Sequence, residues 1–255
     1  MKTVDIGTNR TGIAASPIDA PDVAQFAKKR VPDAGVDGQA ISDVRIAYSR
    51  ESDHPLGTMP PPATIKGAVK TTIEALKGQK ANVFLDKLGE RAGFERTGVR
   101  LYELAISKFD AFGSWDGGPS RGDLVHLRGE ELQHFGLVAE AIRTLGGDPT
   151  AYTPSADLIS IISSGVPKAL SEPRTDLLEG LNALIVAELA DGAAWELLIA
   201  LADELGQDKL SDRFGEALRT EQQHLAKVRA WLTAGMMLAV RGSLPEHANE
   251  HQPSP

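Results

Sequence analysis

Cysteine is absent from this 255-residue chain. That single gap removes disulfides, thiolate zinc sites, iron–sulfur clusters and cysteine nucleophiles together. Positive charge is also in short supply: 27 Lys and Arg stand against 35 Asp and Glu, a net charge of −8. A chain this acidic argues against general nucleic-acid binding and against docking on anionic membranes. Long hydrophobic runs are missing too, since no uncharged apolar stretch reaches the roughly 18 residues of a membrane span. The N-terminal MKTVDIGTNRTGIAAS lacks the apolar core of a signal peptide, so the expected compartment is the cytoplasm.

What is present reads as a soluble globular chain, with 42% hydrophobic and 24% charged residues, long enough to bury a sizeable core. Residues 1–78 stand apart. Turn formers cluster there (Pro17, Pro21, Pro32, Gly35, Gly38, Pro55 and Gly57), and MPPPATIKG fills 59–67. This part is expected to be an extended, partly irregular N-terminal arm with short helical pieces at APDVAQFAKKR and IKGAVKTTIEALKG. Such an arm would wrap a neighbouring subunit of a homo-oligomer, as in a dimer, or stay partly mobile. Residues 243–255 read as a flexible tail.

Between them, residues 79–242 carry four helical patterns with alternating three- and four-residue steps. The first runs Leu85, Leu88, Ala92, Glu95, Val99, Tyr102, Ile106, Phe109, and the second Leu124, Leu127, Glu131, His134, Val138, Ala141, Leu145. The third runs Leu178, Leu181, Ile185, Glu188, Gly192, Trp195, Ile199, Ala202, and the fourth Leu210, Phe214, Ala217, Glu221, His224, Val228, Trp231. FGSWDGGPSRGD, GGDPT and Gly206 punctuate them, and a proline-containing stretch of about 27 residues separates the pairs. Short links make antiparallel neighbours and a long one can cross the whole bundle. The expected fold is all-α: a four-helix bundle of two antiparallel hairpins joined by a long crossover.

Six polar residues interrupt the inward stripes: Glu95, Glu131, His134, Glu188, Glu221 and His224. Residues three apart on a helix share a face, about 4.5 Å apart along the axis. Each Glu-x-x-His pair therefore offers an oxygen and a nitrogen to one ion. Carboxylates buried without compensation cost several kcal/mol each, and a domain's net stability is only about 5–15 kcal/mol. Two divalent cations would cancel four carboxylates, leaving the imidazoles neutral. Carboxylate plus imidazole without thiolate suits iron or manganese, with zinc also open.

These residues resemble those of the ferritin-like di-iron carboxylate proteins, over roughly 80–240. That class takes one Glu from each of two helices and a Glu-x-x-His from each of the other two. FERTGVRLYE is similar to the first helix of bacterioferritins and rubrerythrins, with Tyr102 in the place of a tyrosine that sits over the site. The resemblance implies that Glu131 and Glu221 bridge both metals, that Glu95 and Glu188 each bind one, and that His134 and His224 cap them. It implies two iron ions and ferroxidase or O2/peroxide-dependent oxidoreductase activity, with dioxygen or peroxide and a small-molecule substrate or reductant as partners. Tyr102 would support the site as a hydrogen-bonding or redox residue, or serve as a core aromatic. The arm departs from cage-forming ferritins, and the lack of cysteine departs from rubrerythrins with a rubredoxin-like domain. A dimanganese catalase-like enzyme and a non-catalytic, metal-stapled scaffold are the alternatives.

Other polar residues read more plainly. Glu51 and His54 form a third Glu-x-x-His, but in the non-periodic arm. His126 and Asp123 read as surface or helix-start residues, Glu103 and Glu196 as solvated, and Glu130 as exposed or as an orienter of a histidine. Gly192 stands mid-helix, where glycine costs about 1 kcal/mol against alanine, and reads as close helix packing or as room beside the metals.

Overall fold

A computed structural model describes residues 19–30, 39–52, 55–60 and 79–245. Among these there are eight helices and no strand. Helices α1 (Asp19–Arg30) and α2 (Gln39–Glu51) belong to a compact unit over Lys2–Pro55, separate from the unit that begins at Leu56. Helix α1 covers the first helical piece expected in the arm. The arm is more helical than its turn formers suggest, because α2 lies where the sequence reads as irregular chain. The second expected piece, IKGAVKTTIEALKG, lies outside the described residues, as does the tail from 246 onward.

The second unit holds four long helices: α3 (Gln79–Phe112), α4 (Arg121–Thr144), α7 (Leu177–Glu204) and α8 (Asp208–Val240). Local chemistry sets their ends. Ser120 accepts from the Asp123 amide at 3.0 Å, and Asp123 accepts from the Ser120 amide at 2.9 Å. Asp176 and Glu179 form the same reciprocal cap at the start of α7, with both bonds at 3.0 Å. Each box satisfies amides that have no partner inside the helix. Helix α7 stops where Gly206 turns left-handed (φ +63°) and the Gln207 amide reaches back to the Ala202 carbonyl at 2.8 Å. A side chain there would meet its own backbone.

Helices α3 and α4 pack as one hairpin and α7 and α8 as the other, with α3 lying against α7 and α4 meeting α8 along a slighter seam. The crossover contains two helices that the periodicity does not announce, α5 (Pro154–Ile162) and α6 (Gly165–Ser171). Pro154 reads as a breaker in the sequence. It occupies instead the first turn of α5 behind the Thr153 cap, where proline's missing N–H costs nothing. The crossover is tied to α3 near both ends. Asp86 accepts from the Ser155 amide (2.9 Å) and hydroxyl (2.7 Å), and the Lys108 ammonium donates to the carbonyls of Glu172 (2.6 Å) and Thr175 (2.5 Å).

The apolar core divides into two clusters. One centres on Tyr102, Leu124, Leu127, Leu178, Leu181 and Val228, the other on Phe84, Leu88, Val138, Trp195 and Phe214. Burying each such large side chain contributes about 1.5–3 kcal/mol. The expected stripes of α4 and α8 are buried at every position. On α3 and α7 the buried edge is rotated from the expected line. It includes Phe84, Arg91, Gly98, Leu101 and Ala105 on α3, and Leu184, Asp191 and Leu198 on α7, while Val99, Ile185, Gly192 and Ile199 are only half-buried. Among the described residues no helix is long and apolar enough to cross a membrane.

Candidate metal centre

Between the two apolar clusters, all four long helices turn polar side chains inward. Helix α3 supplies Glu95, α4 supplies Glu131 and His134, α7 supplies Glu188, and α8 supplies Glu221 and His224. All six are buried, none more than 7% exposed. One donor atom each from Glu131, Glu188, Glu221 and His224 lies within 4.8 Å of all the others in the group. The same holds for Glu95, His134 and Glu221. Glu221 belongs to both groups and so stands midway. His134 Nδ1 approaches Glu221 Oε1 to 2.5 Å and Glu95 Oε2 to 3.9 Å. His224 Nδ1 lies 3.1 Å from Glu221 Oε2, 3.4 Å from Glu131 Oε1 and 3.9 Å from Glu188 Oε2.

Three residues here are not signalled by the stripes of the sequence. Arg91 and Asp191 are both 2% exposed. The Arg91 guanidinium sets Nε 2.9 Å from Glu95 Oε1 and Nη1 3.1 Å from Asp191 Oδ1. An Asp191 oxygen also falls within 4.8 Å of donors from Glu95, Glu131 and Glu221. The third residue is Gly98. A Cβ on it would come within 2.2 Å of Glu131 Oε2, so only glycine lets that carboxylate lie as it does. Gly192 has no such role, since a Cβ there would meet nothing within 4 Å and close helix packing is not its reason.

The surroundings hold these side chains in place. His224 Nε2 donates to Glu130 Oε2 at 2.9 Å, which turns Nδ1 toward the carboxylates. This is the histidine-orienting role open to Glu130 in the sequence. Tyr102 packs in the core and donates its hydroxyl to Glu188 Oε1 across the bundle. Trp195 meets His134 edge-on at 5.6 Å between centroids. His126, by contrast, has a 62% exposed side chain, 3.4 Å from Glu130 Oε2. Asp123 serves the α4 cap, and Glu103 and Glu196 face solvent. Glu51 is exposed, and His54 lies outside the described residues.

Electrostatics in the metal-free protein reflects crowding. Burial pushes the Glu95 and Glu188 carboxyls up to about 8, helped by neighbouring acids, Asp191 for Glu95 and Glu221 for Glu188. Burial also lifts Glu131 and Asp191 well above the usual carboxyl range. Glu221 is the exception: burial would raise it, but the flanking imidazoles of His134 and His224 bring it to about 2. His224 is held protonated, to about 11, because contacts with Glu131 and Glu221 outweigh its burial. A cation entering here would displace protons.

The donor set itself tests whether a metal fits. Buried atoms without a hydrogen-bond partner include both oxygens of Glu95 and of Glu221, one each of Glu131 and Glu188, and Nδ1 of His134 and His224. Buried polar groups of native proteins are almost always paired. Eight such atoms converge on one interior space, and the ion pairs they make with Arg91 and with one another leave several carboxylates crowded together, an arrangement that cations would compensate. They are hard and borderline donors, without thiolate, of the kind that iron, manganese or zinc accepts.

The class so defined is a four-helix bundle with a buried carboxylate–imidazole centre that fits a di-metal protein. The family model described as Ferritin-like domain matches residues 124–237, from α4 to near the end of α8, and over that stretch the chain is similar to ferritin-like domains. A solved structure titled as ferritin like, diiron-carboxylate proteins from Bacillus anthracis str. Ames is 16% identical. That match covers 61% of this chain and 99% of the other, with a TM-score of 0.46. No curated protein matches.

Proposed function

We propose that the bundle holds two iron ions and couples their oxidation to the reduction of dioxygen or peroxide, as a ferroxidase or a related oxidoreductase. The observation that carries this reading is the convergence of eight buried oxygen and nitrogen donors from four helices, none with a hydrogen-bond partner. Glu188 and His224 would hold one ion, Glu95 and His134 the other, with Glu131 and Glu221 between them. Bound iron supplies reversible one-electron chemistry and open positions for a small oxidant.

The rest falls to the chain's own residues. Four carboxylates balance two dications, so loading neutralises an interior that is otherwise strained by like charges. Glu130 keeps the Nε2 proton of His224 and presents Nδ1 toward the centre. Tyr102 ties down one oxygen of Glu188 and leaves the other free. The apolar clusters above and below exclude water, which strengthens each charge interaction inside.

Stopped-flow absorbance after mixing ferrous-loaded protein with oxygenated buffer tests the proposal. A fast near-ultraviolet rise, stoichiometric with iron and lost in Glu131→Ala and His224→Ala, is expected. An unchanged rise in both variants, or no rise in the loaded wild type, defeats it. Elemental analysis of protein grown without forced iron separates the dimanganese alternative, and tight metal uptake without oxidation would identify a scaffold.

A further inference from the structure

The two hairpins repeat the same order, a glutamate followed by a Glu-x-x-His, yet the surroundings of the two halves differ. Glu95 on α3 corresponds to Glu188 on α7. Arg91, four residues before Glu95, has Leu184 as its counterpart, and Asp191, three after Glu188, has Gly98. A buried guanidinium therefore stands beside Glu95 and not beside Glu188, and the carboxylate that pairs with it lies within 4.8 Å of Glu95, Glu131 and Glu221 donors. Arg91 is fixed from several sides: Nε on Glu95 Oε1 (2.9 Å), Nη1 on Asp191 Oδ1 (3.1 Å) and on the Asp191 carbonyl (3.3 Å). Its Cζ lies 4.4 Å over the Phe94 ring and 5.5 Å from that of Trp195. No arginine stands at the other half: Glu188 meets the neutral Tyr102 hydroxyl and, at 3.9 Å, His224 Nδ1, which can give up its proton and bind a metal as Arg91 cannot.

A cation approaching Glu95 meets a positive charge that already holds one of that residue's oxygens. The competing ion pair is short and fully desolvated, where Coulomb interactions weigh most. We propose that the Arg91–Asp191 pair makes the two metal positions unequal, with the Glu188/His224 position filling first and the Glu95/His134 position second and more weakly. Arg91 is thus a positioning residue that sets the order of loading, and Asp191 moderates it by holding the guanidinium and by adding negative charge next to Glu95. The inference rests on the two-metal reading and goes beyond it, because that reading treats the halves alike.

Anaerobic calorimetric titration of the full chain with Co2+ alone, followed also by its visible absorbance, gives the test. Wild type should bind two equivalents in two steps of unlike affinity. His134→Ala should lose only the weak step, and His224→Ala the tight one. Removing the positive charge in Arg91→Met should tighten the weak step about ten-fold or more, and removing the negative charge in Asp191→Asn should weaken it by a similar factor. Arg91→Lys, which keeps the charge, should leave the two steps separated. A residue that merely packs the core would give losses in both Arg91→Met and Asp191→Asn, and that result overturns the proposal. Should Arg91→Met not fold, the Asp191→Asn and Arg91→Lys titrations decide, since a weak step unmoved by Asp191→Asn also overturns it. Two equal steps in the wild type refute the inequality while leaving the two-metal reading intact; no uptake at all sinks that reading and this one with it.

Discussion

Replacing Gly98 by alanine adds one methyl group to the molecule and should cost it the metal centre. A Cβ at that position would sit 2.2 Å from Oε2 and 2.8 Å from Cδ of Glu131. The carboxylate must withdraw by about 1 Å to restore ordinary contact. Metal–ligand distances tolerate only about 0.2 Å, so a metal site that used that oxygen would be lost or distorted. We expect affinity to fall about 100-fold, the scale of a 1 Å misplacement at a reacting centre. By linkage this removes about 2.7 kcal/mol of the stabilisation that bound metal gives. For a domain of this size the metal-induced rise in Tm should shrink by about 5–10 °C. The metal-free protein should be spared, because Glu131 Oε2 has no partner there to lose and alanine favours a helix by about 1 kcal/mol. Differential scanning calorimetry with and without metal reads both effects. Gly192→Ala is the control: with nothing within 4 Å of the new methyl, it should gain up to about 1 kcal/mol and bind metal normally. Wild-type metal affinity in Gly98→Ala, or equal losses in both variants, would refute the reasoning.

Other consequences follow from the same geometry. Glu130→Gln weakens the acceptor that orients His224 and should lower metal affinity about 10–100-fold, measured by competition with a chromophoric chelator. Metal-free protein should lose stability between about pH 4.5 and 8. Glu95 and Glu188 are raised to about 8, so in that window the folded state binds more protons than the unfolded chain, and each rise in pH favours unfolding. His224, raised to about 11, adds to the loss above its unfolded value near 6.5. Urea denaturation at pH 5, 6.5 and 8 checks the slope; metal-loaded protein should show the opposite trend, since cation uptake improves as protons leave. Ser120→Ala removes half of the α4 cap and should cost about 1 kcal/mol in the same assay without altering metal binding.

Much of this architecture is legible in the order of residues along the chain. The stripes of α4 and α8 keep a strict register, and an acid or an imidazole on such a stripe is conspicuous because leucine is the default there. The crossover helices are hidden because proline reads as a breaker; the pairing of Thr153 with Pro154 as a cap and first-turn residue carries the opposite meaning. Arg91 and Asp191 escape for a geometric reason. Helices α3 and α7 pack against more neighbours than α4 and α8 do, and their buried faces are wider than one stripe. Arg91 sits among charged neighbours in GERAGFER and looks solvated. Asp191 is eclipsed by Gly192 beside it, which breaks the stripe more loudly but lies off the buried line. Gly98 carries the one available signal, a glycine in mid-helix three residues after a candidate ligand.

The tethers of Asp86 and Lys108 have a mechanical corollary. They fasten the crossover along the length of α3, so that the flank where α3 meets α7 is braced while the opposite flank is not. There α4 and α8 are linked by Glu130 to His224 at the level of the centre and by Glu140 to Arg213 nearer the end. Hydrogen exchange should accordingly be faster in the amides that face the α4–α8 seam than in those beneath the crossover.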